Sequence, residues 1–132
     1  MKHITSLLFL LNAIHALIRG AYGYSLSFIA MTVTSVAIHT TDNTTEYWQN
    51  MYWIDQAAIL CVFIAGLYYV LKIKFELQIL AIVSVVIVVY MYYVGYITES
   101  LCFHKSPDIS TATQSIMHII GSIGHHFIIA GL

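Results

Sequence analysis

The sequence contains very little charge. Lys and Arg contribute 5 of the 132 residues and Asp and Glu contribute 6, so charged residues make up 8% of the chain. A soluble domain normally carries about 25% charged residues, whereas hydrophobic residues here reach 60%. Such a composition could not cover a globular surface with polar groups, and it therefore predicts a protein embedded in a lipid bilayer.

Other scarcities exclude further classes of protein. The net charge is −1, and nucleic-acid-binding proteins need clustered Lys and Arg to neutralise phosphates, so we expect no nucleic-acid partner. The two cysteines, Cys61 and Cys102, do not have the spacing of metal ligands, and Cys61 lies within a hydrophobic run. We expect both to be small apolar fillers rather than a disulfide. The length allows one domain, residues 1–132.

Hydrophobic stretches divide the chain into five candidate helices, at residues 4–18, 21–39, 51–72, 76–97 and 112–132. A membrane-spanning helix needs about 20 mostly apolar residues, and no alternating pattern typical of a barrel is present. We predict an all-α integral membrane bundle of about five transmembrane helices. The first stretch is short and contains Asn12 and His15. A signal peptide is the alternative there, but no clear small-x-small cleavage site follows, which favours a retained helix.

The loops predict an orientation. Arg19 lies in the first loop and Lys72 and Lys74 lie in the third, whereas the loop at residues 40–50 has no Lys or Arg and that at residues 98–111 is acidic overall. The positive-inside rule then places the N-terminus outside and the C-terminus in the cytoplasm. This orientation places a glycosylation sequon, Asn43-Thr44-Thr45, on the outer side. It also places there an aromatic belt formed by Tyr90, Tyr92, Tyr93 and Tyr96.

Polar residues inside the predicted spans lie at similar depth. Ser35 and His39 are four residues apart on one helix, Asp55 is one turn into the next, and Gln114 and His118 are four apart on the last. Residues four apart share a helix face, and ionisable groups at membrane depth usually face a bundle interior. We expect His39, Asp55 and His118 to converge in a pocket open to the outer leaflet. Hydrogen bonding between helices, worth about 0.6 kcal/mol per bond, is the simpler alternative.

The order of these motifs resembles a known superfamily. Ser35 and His39 form Ser-x-x-x-His at a helix end, Asp55 closes Tyr-Trp-Ile-Asp, and Gln114-Ser-Ile-Met-His118 opens a glycine-containing last helix. This arrangement is similar to that of the CREST membrane hydrolases, which include alkaline ceramidases, adiponectin/progestin-type receptors and myomaker-like proteins. The myomaker-like branch looks nearest. The similarity covers the first three helices and the last one.

The resemblance implies a zinc-dependent lipid amide hydrolase. In it, His39 and His118 would be zinc ligands, Gln114 would occupy a third ligand position, Asp55 would be the base, and Ser35 would supply a hydroxyl. Zinc held by three protein ligands keeps an open position and lowers the pKa of its bound water to about 7. A carboxylate can then accept the proton, and a hydroxyl can stabilise the developing oxyanion.

Two departures from the family predict a catalytically degenerate form. Gln114 stands where the family has a histidine, and the chain has about five helices where the family has seven. His125 shares the face of His118 but lies about 10 Å deeper at 1.5 Å per residue, too far to share a metal with it. His104, in the outer loop, could replace the missing ligand only by folding back.

Two other functions remain open on the sequence alone. Haem could be held between helices by imidazoles of His15, His39, His118 or His125, although no Lys or Arg pair lies in the spans to meet its propionates. The chain could also be a non-catalytic membrane scaffold or complex subunit. Gly121 and Gly124 would permit close helix packing within the bundle or in a homo- or hetero-oligomer. Membrane lipids are the expected partners in every case.

Overall fold

The computed structural model describes residues 2–132, and within that range the chain is helical with no strand. The predicted all-α class is confirmed. Its elements are α1 (Lys2–Ser6), α2 (Leu8–Ile18), α3 (Tyr22–Thr40), α4 (Glu46–Val70), α5 (Phe75–Thr98), a 3₁₀ turn (Leu101–Phe103) and α6 (Pro107–Ala130). The first predicted helix is thus two segments that meet at Leu7, so the structure has five main helices in the described part of the chain.

Two helices begin earlier than the hydrophobic pattern predicts. α4 starts at Glu46 rather than at residue 51, because the Thr45 side chain caps it by accepting a hydrogen bond from the Trp48 backbone N–H at 3.1 Å. Such a cap satisfies one of the free N–H groups of a first turn. α6 starts at Pro107 rather than at residue 112, since proline is favourable at the first helical position. Polar residues assigned to loops therefore extend both helices.

Two of the described helices are long and apolar enough to cross a membrane. These are α4 and α5. The segment at residues 3–18 is a shorter apolar helix. α3 and α6 are long enough, but their serines, threonines and histidines lower their hydropathy.

The helices pack around α2, α3 and α6. α2 lies against both α3 and α6, α4 packs against α3, and α5 packs against α6. α4 and α5 follow each other in the chain, yet in the described part of it they make few contacts with one another. They diverge from their short connection and leave a cleft between them. We call the end with residues 40–45 the His39 end, and the opposite end the Arg19 end.

Polar side chains join α2 to its neighbours inside this bundle. Asn12, which is fully buried, donates from Nδ2 to the Ser122 carbonyl oxygen at 3.0 Å, and Ser122 Oγ donates back to Asn12 Oδ1 at 2.7 Å. Ser25 Oγ donates to the Ala13 carbonyl oxygen at 2.7 Å. The polar residue that interrupts the first hydrophobic stretch therefore fixes α2 to α6.

A glycine brings α5 and α6 together. A Cβ atom placed on Gly124 would lie 2.6 Å from Ser84 Cβ, whereas one placed on Gly121 would be no closer than 3.9 Å to its nearest neighbour, Val88. The close helix approach expected at these glycines therefore occurs at Gly124.

Candidate functional site: a cavity between α4 and α5

The cleft between α4 and α5 forms a cavity of about 1000 Å³, with α3 and α6 behind it. Asp42 and Trp48 line it at the His39 end, and Ile128 lines it deep in the bundle. The cavity follows α6 from Gln114 to Ile128, which is about 21 Å at 1.5 Å per residue. It therefore extends along most of a hydrocarbon core of about 30 Å.

The walls of the cavity are mostly apolar. α4 and α5 contribute aliphatic and aromatic side chains along its length, among them Ile59, Leu60, Phe63, Val85, Val88 and Val89. At the His39 end, Tyr52 on α4 and Tyr92 on α5 line the cavity from its two walls. At the Arg19 end, the short connection between α4 and α5 joins the two walls.

All five residues singled out in the sequence line this cavity: Ser35, His39, Asp55, Gln114 and His118. The ring centroids of His39 and His118 are 5.7 Å apart. The structure therefore brings together side chains from α3, α4 and α6 at the His39 end, as their common depth predicts.

Asp55 is held by a neighbour that the sequence did not single out. The carboxylate is 7% exposed, and its Oδ1 accepts a hydrogen bond from Thr34 Oγ1 at 2.7 Å. A buried carboxylate must be hydrogen-bonded to be tolerated. Thr34 therefore fixes one oxygen of Asp55. The signal for this partner is only that Thr34 precedes Ser35, which places both near the same end of α3.

The short helix α1 supplies hydrogen-bond partners for two of the cavity-lining residues, Ser35 and His118. Ser35 Oγ lies 2.8 Å from Ser6 Oγ, and His118 Nδ1 lies 3.0 Å from Thr5 Oγ1. Phe9 packs against the His118 imidazole with its ring at an angle of 70°. A hydrogen bond at one imidazole nitrogen fixes the orientation of the ring. The first residues of the chain therefore orient the site.

The donor set does not amount to a three-histidine metal centre. No three His, Cys, Asp or Glu side chains within residues 2–132 form a group that could hold a metal ion. Gln114 lines the cavity with an amide, which is a poorer zinc ligand than imidazole. His104 does not line it, and its Nδ1 accepts a hydrogen bond from the Ser106 backbone N–H at 2.9 Å. Of the three histidines that the resemblance requires, His39 and His118 are present together.

The His39 end of the cavity carries a negative charge at Asp42. The Thr44 backbone N–H and hydroxyl both donate to Asp42 Oδ1 at 2.9 Å, and these hydrogen bonds hold the pKa of the Asp42 carboxyl below its usual value. Asp55 lies further in, and no Lys or Arg is among the described residues that line the cavity. The electrostatics therefore disfavour an anionic group.

Other histidines form pairs that sequence reasoning missed. His15 Nδ1 lies 2.9 Å from His126 Nδ1, and Tyr24 hydroxyl is hydrogen-bonded to His125 Nδ1. Two of the four candidate haem ligands, His15 and His125, are thus engaged with different partners at their Nδ1 atoms. The sequence contains no signal for these two pairs. It indicates only that His125, seven residues after His118, lies on the same face of α6.

Comparison of the chain with models of known protein families, with curated proteins and with solved structures found no match in any of the three. The resemblance to the CREST hydrolases, and the zinc chemistry that it implies, stay predictions from the sequence.

Proposed function

We propose that the protein is a multi-pass membrane protein that binds a neutral amphipathic lipid in the cavity between α4 and α5. One observation carries this proposal: a single cavity joins a polar cluster, which includes His39, Asp55 and His118, to a long apolar cleft. Ligand pockets are typically apolar with a few convergent polar groups. The polar part of the ligand would lie among those side chains and its hydrocarbon along the cleft.

The surroundings of the cleft support a lipid as the ligand. Among the described helices, α4 and α5 are the two that are both long and apolar enough to span a membrane. They expose large apolar side chains to their surroundings, among them Ile54, Ile64, Leu67, Ile82, Val86 and Tyr90. In a bilayer these faces would contact hydrocarbon, so a molecule in the cleft would share the lipid environment. The other three main helices would complete the five-span bundle, with the N-terminus outside as the basic loops indicate.

The charge distribution selects among polar headgroups. Asp42 and Asp55 line the cavity, and the described lining residues include no Lys or Arg. A carboxylate or phosphate headgroup would therefore meet like charge. An amide or hydroxyl group could accept and donate hydrogen bonds to His39, His118 and Ser35 without this penalty.

Binding of matched lipids to the purified protein tests the proposal. We expect stearamide to bind and stearate, with the same chain and a negative headgroup, to bind more weakly. Replacement of His118 by alanine should weaken stearamide binding about tenfold, the effect of losing about 1.4 kcal/mol of polar contact. His126→Ala, outside the cavity lining, is the matched control. Equal binding of stearamide by both variants and the unmodified protein, or no binding at all, would contradict the proposal.

Hydrolysis of a lipid amide is the second candidate, and the approach of His39 to His118 is the observation that favours it. These two imidazoles, with Asp55 and Ser35 at the same cavity, are the residues that would hold zinc and the reacting amide; bound zinc would supply an activated water. Metal analysis with about one zinc per chain, together with stearamide turnover lost in Asp55→Asn, would support this function. Binding without zinc and without turnover would leave a non-catalytic lipid-binding protein.

A further inference from the structure

The deep part of the cavity contains two further polar side chains: Ser84, whose hydroxyl donates to the Leu80 carbonyl oxygen of its own helix, and His125. His125 lines the same cavity as His118 and lies seven residues further along α6, which is two turns of the helix and about 10 Å at 1.5 Å per residue. Its surroundings are aromatic and aliphatic: the Phe28 ring centroid is 5.0 Å from that of His125, and Val62 and Ile128 line the cavity nearby. A polar group in such a place needs an explanation.

A hydrogen bond fixes which nitrogen of His125 carries the proton. Tyr24 is fully buried, and the one hydrogen-bond partner of its hydroxyl within residues 2–132 is His125 Nδ1. A buried hydroxyl needs an acceptor for its proton, so Tyr24 donates and Nδ1 accepts. A neutral imidazole that accepts at Nδ1 carries its own proton on Nε2. His125 is therefore an N–H donor at Nε2.

The Nε2 atom is not fully enclosed by the protein. Nε2 makes no hydrogen bond within residues 2–132. In that range every buried side-chain nitrogen or oxygen has a hydrogen-bond partner, so an atom without one is not buried. Nε2 is therefore accessible rather than sealed, and the space beside the ring is the cavity that His125 lines. The Tyr24 and Phe28 rings pack edge-on against the imidazole and keep it in this orientation.

We propose that His125 is a second polar contact for the ligand, donating from Nε2 to an oxygen atom placed about 10 Å from the headgroup that His118 contacts. The ligand class is then a neutral lipid that carries a hydroxyl or carbonyl oxygen near the middle of its hydrocarbon. This inference rests on the proposed function and narrows it. An unsubstituted chain would leave the N–H without an acceptor, which costs more than a hydrogen bond contributes.

Two lipids that differ by one oxygen test this inference: stearamide, and stearamide with a hydroxyl group near the middle of its chain. We expect the unmodified protein to bind the hydroxylated lipid about tenfold more tightly. His125→Phe should remove the preference and still bind stearamide, because phenylalanine keeps the ring and loses the donor. Tyr24→Phe keeps the histidine but no longer fixes which of its nitrogens carries the proton. The preference for the hydroxylated lipid over stearamide should then fall to a few-fold.

The neighbouring histidine supplies the control. His126→Phe changes the adjacent position, which pairs with His15 and does not line the cavity, and should keep the full preference. Equal affinity of the unmodified protein for the two lipids would overturn the role of His125 while leaving lipid binding intact. Failure to bind either lipid would overturn the proposed function itself. If His125→Phe does not fold, Tyr24→Phe with an undiminished preference would still refute the tautomer argument.

Discussion

Single residues determine how the polar groups of the cavity are held. Thr34 fixes the Asp55 carboxylate, and Tyr24 fixes the His125 imidazole, each through one hydrogen bond. The sequence indicated Asp55 and His118 because ionisable residues in apolar runs stand out. It could not indicate Thr34 or Thr5, since a threonine in a helix usually bonds to its own backbone, and only packing shows which one meets another side chain.

The two glycines of α6 give a prediction at this scale. Gly124→Ala would place its Cβ 2.6 Å from Ser84 Cβ, so α5 and α6 must separate, and we expect a loss of about 1–3 kcal/mol in the free energy of unfolding. Gly121→Ala meets no atom closer than 3.9 Å and should be neutral or slightly stabilising, because alanine favours a helix. Thermal unfolding in detergent measures both; equal melting temperatures would show that the α5–α6 contact is not tight.

At the scale of helices, the divergence of α4 and α5 creates the site. Their hydrophobic patterns predict two neighbouring spans, and consecutive antiparallel helices usually pack together. In the structure α4 packs on α3 and α5 packs on α6 instead, and the cleft between them becomes the cavity. Side-chain complementarity between distant segments decides this pairing, as the contact of Gly124 with Ser84 illustrates, and hydropathy contains no such information.

The positions of Tyr52 and Tyr92, on the two walls of the cavity, give a prediction about access to the cleft. If lipid enters sideways between α4 and α5, joining these positions covalently should slow its entry. We expect Tyr52→Cys with Tyr92→Cys, in a protein whose Cys61 and Cys102 are replaced by alanine, to take up stearamide from vesicles several-fold more slowly after treatment with a short cleavable thiol cross-linker. Cleavage of the linker should restore the rate. Either single cysteine variant, treated identically, is the control, and an unchanged rate in the linked protein would exclude this route.

For the whole molecule, the exposed surface of α4 and α5 and the polar cavity behind it are consistent with one arrangement in a bilayer. The apolar side chains that these helices expose would be costly in water as a contiguous patch. The polar residues of α3 and α6, which lower the hydropathy of those helices, face inward: Ser35, Ser115, His118 and Ser122 are buried. A bundle built this way would keep these polar groups away from the hydrocarbon that surrounds it.

Labelling of single cysteines tests this arrangement. In the cysteine-free protein, we expect Thr44→Cys to react with a membrane-impermeant maleimide on intact cells. Lys74→Cys should react only after the membrane is permeabilised, because the basic loop is expected on the cytoplasmic side. Reaction of both from the same side would contradict a membrane-crossing α4, and reaction of Lys74→Cys alone would reverse the orientation.

The sequence by itself determined the helical class and the approximate position of each helix, and it singled out Ser35, His39, Asp55 and His118, which line one cavity. These follow from local hydrophobic pattern and from helical spacing, which depend on neighbours in the chain. Only the tertiary structure decided that α4 and α5 separate into a cleft, that Thr5 and Thr34 orient the site, and that Tyr24 turns His125 into a donor at its deep end. Those features depend on contacts between residues far apart in the chain, and they arise from the packing of whole helices.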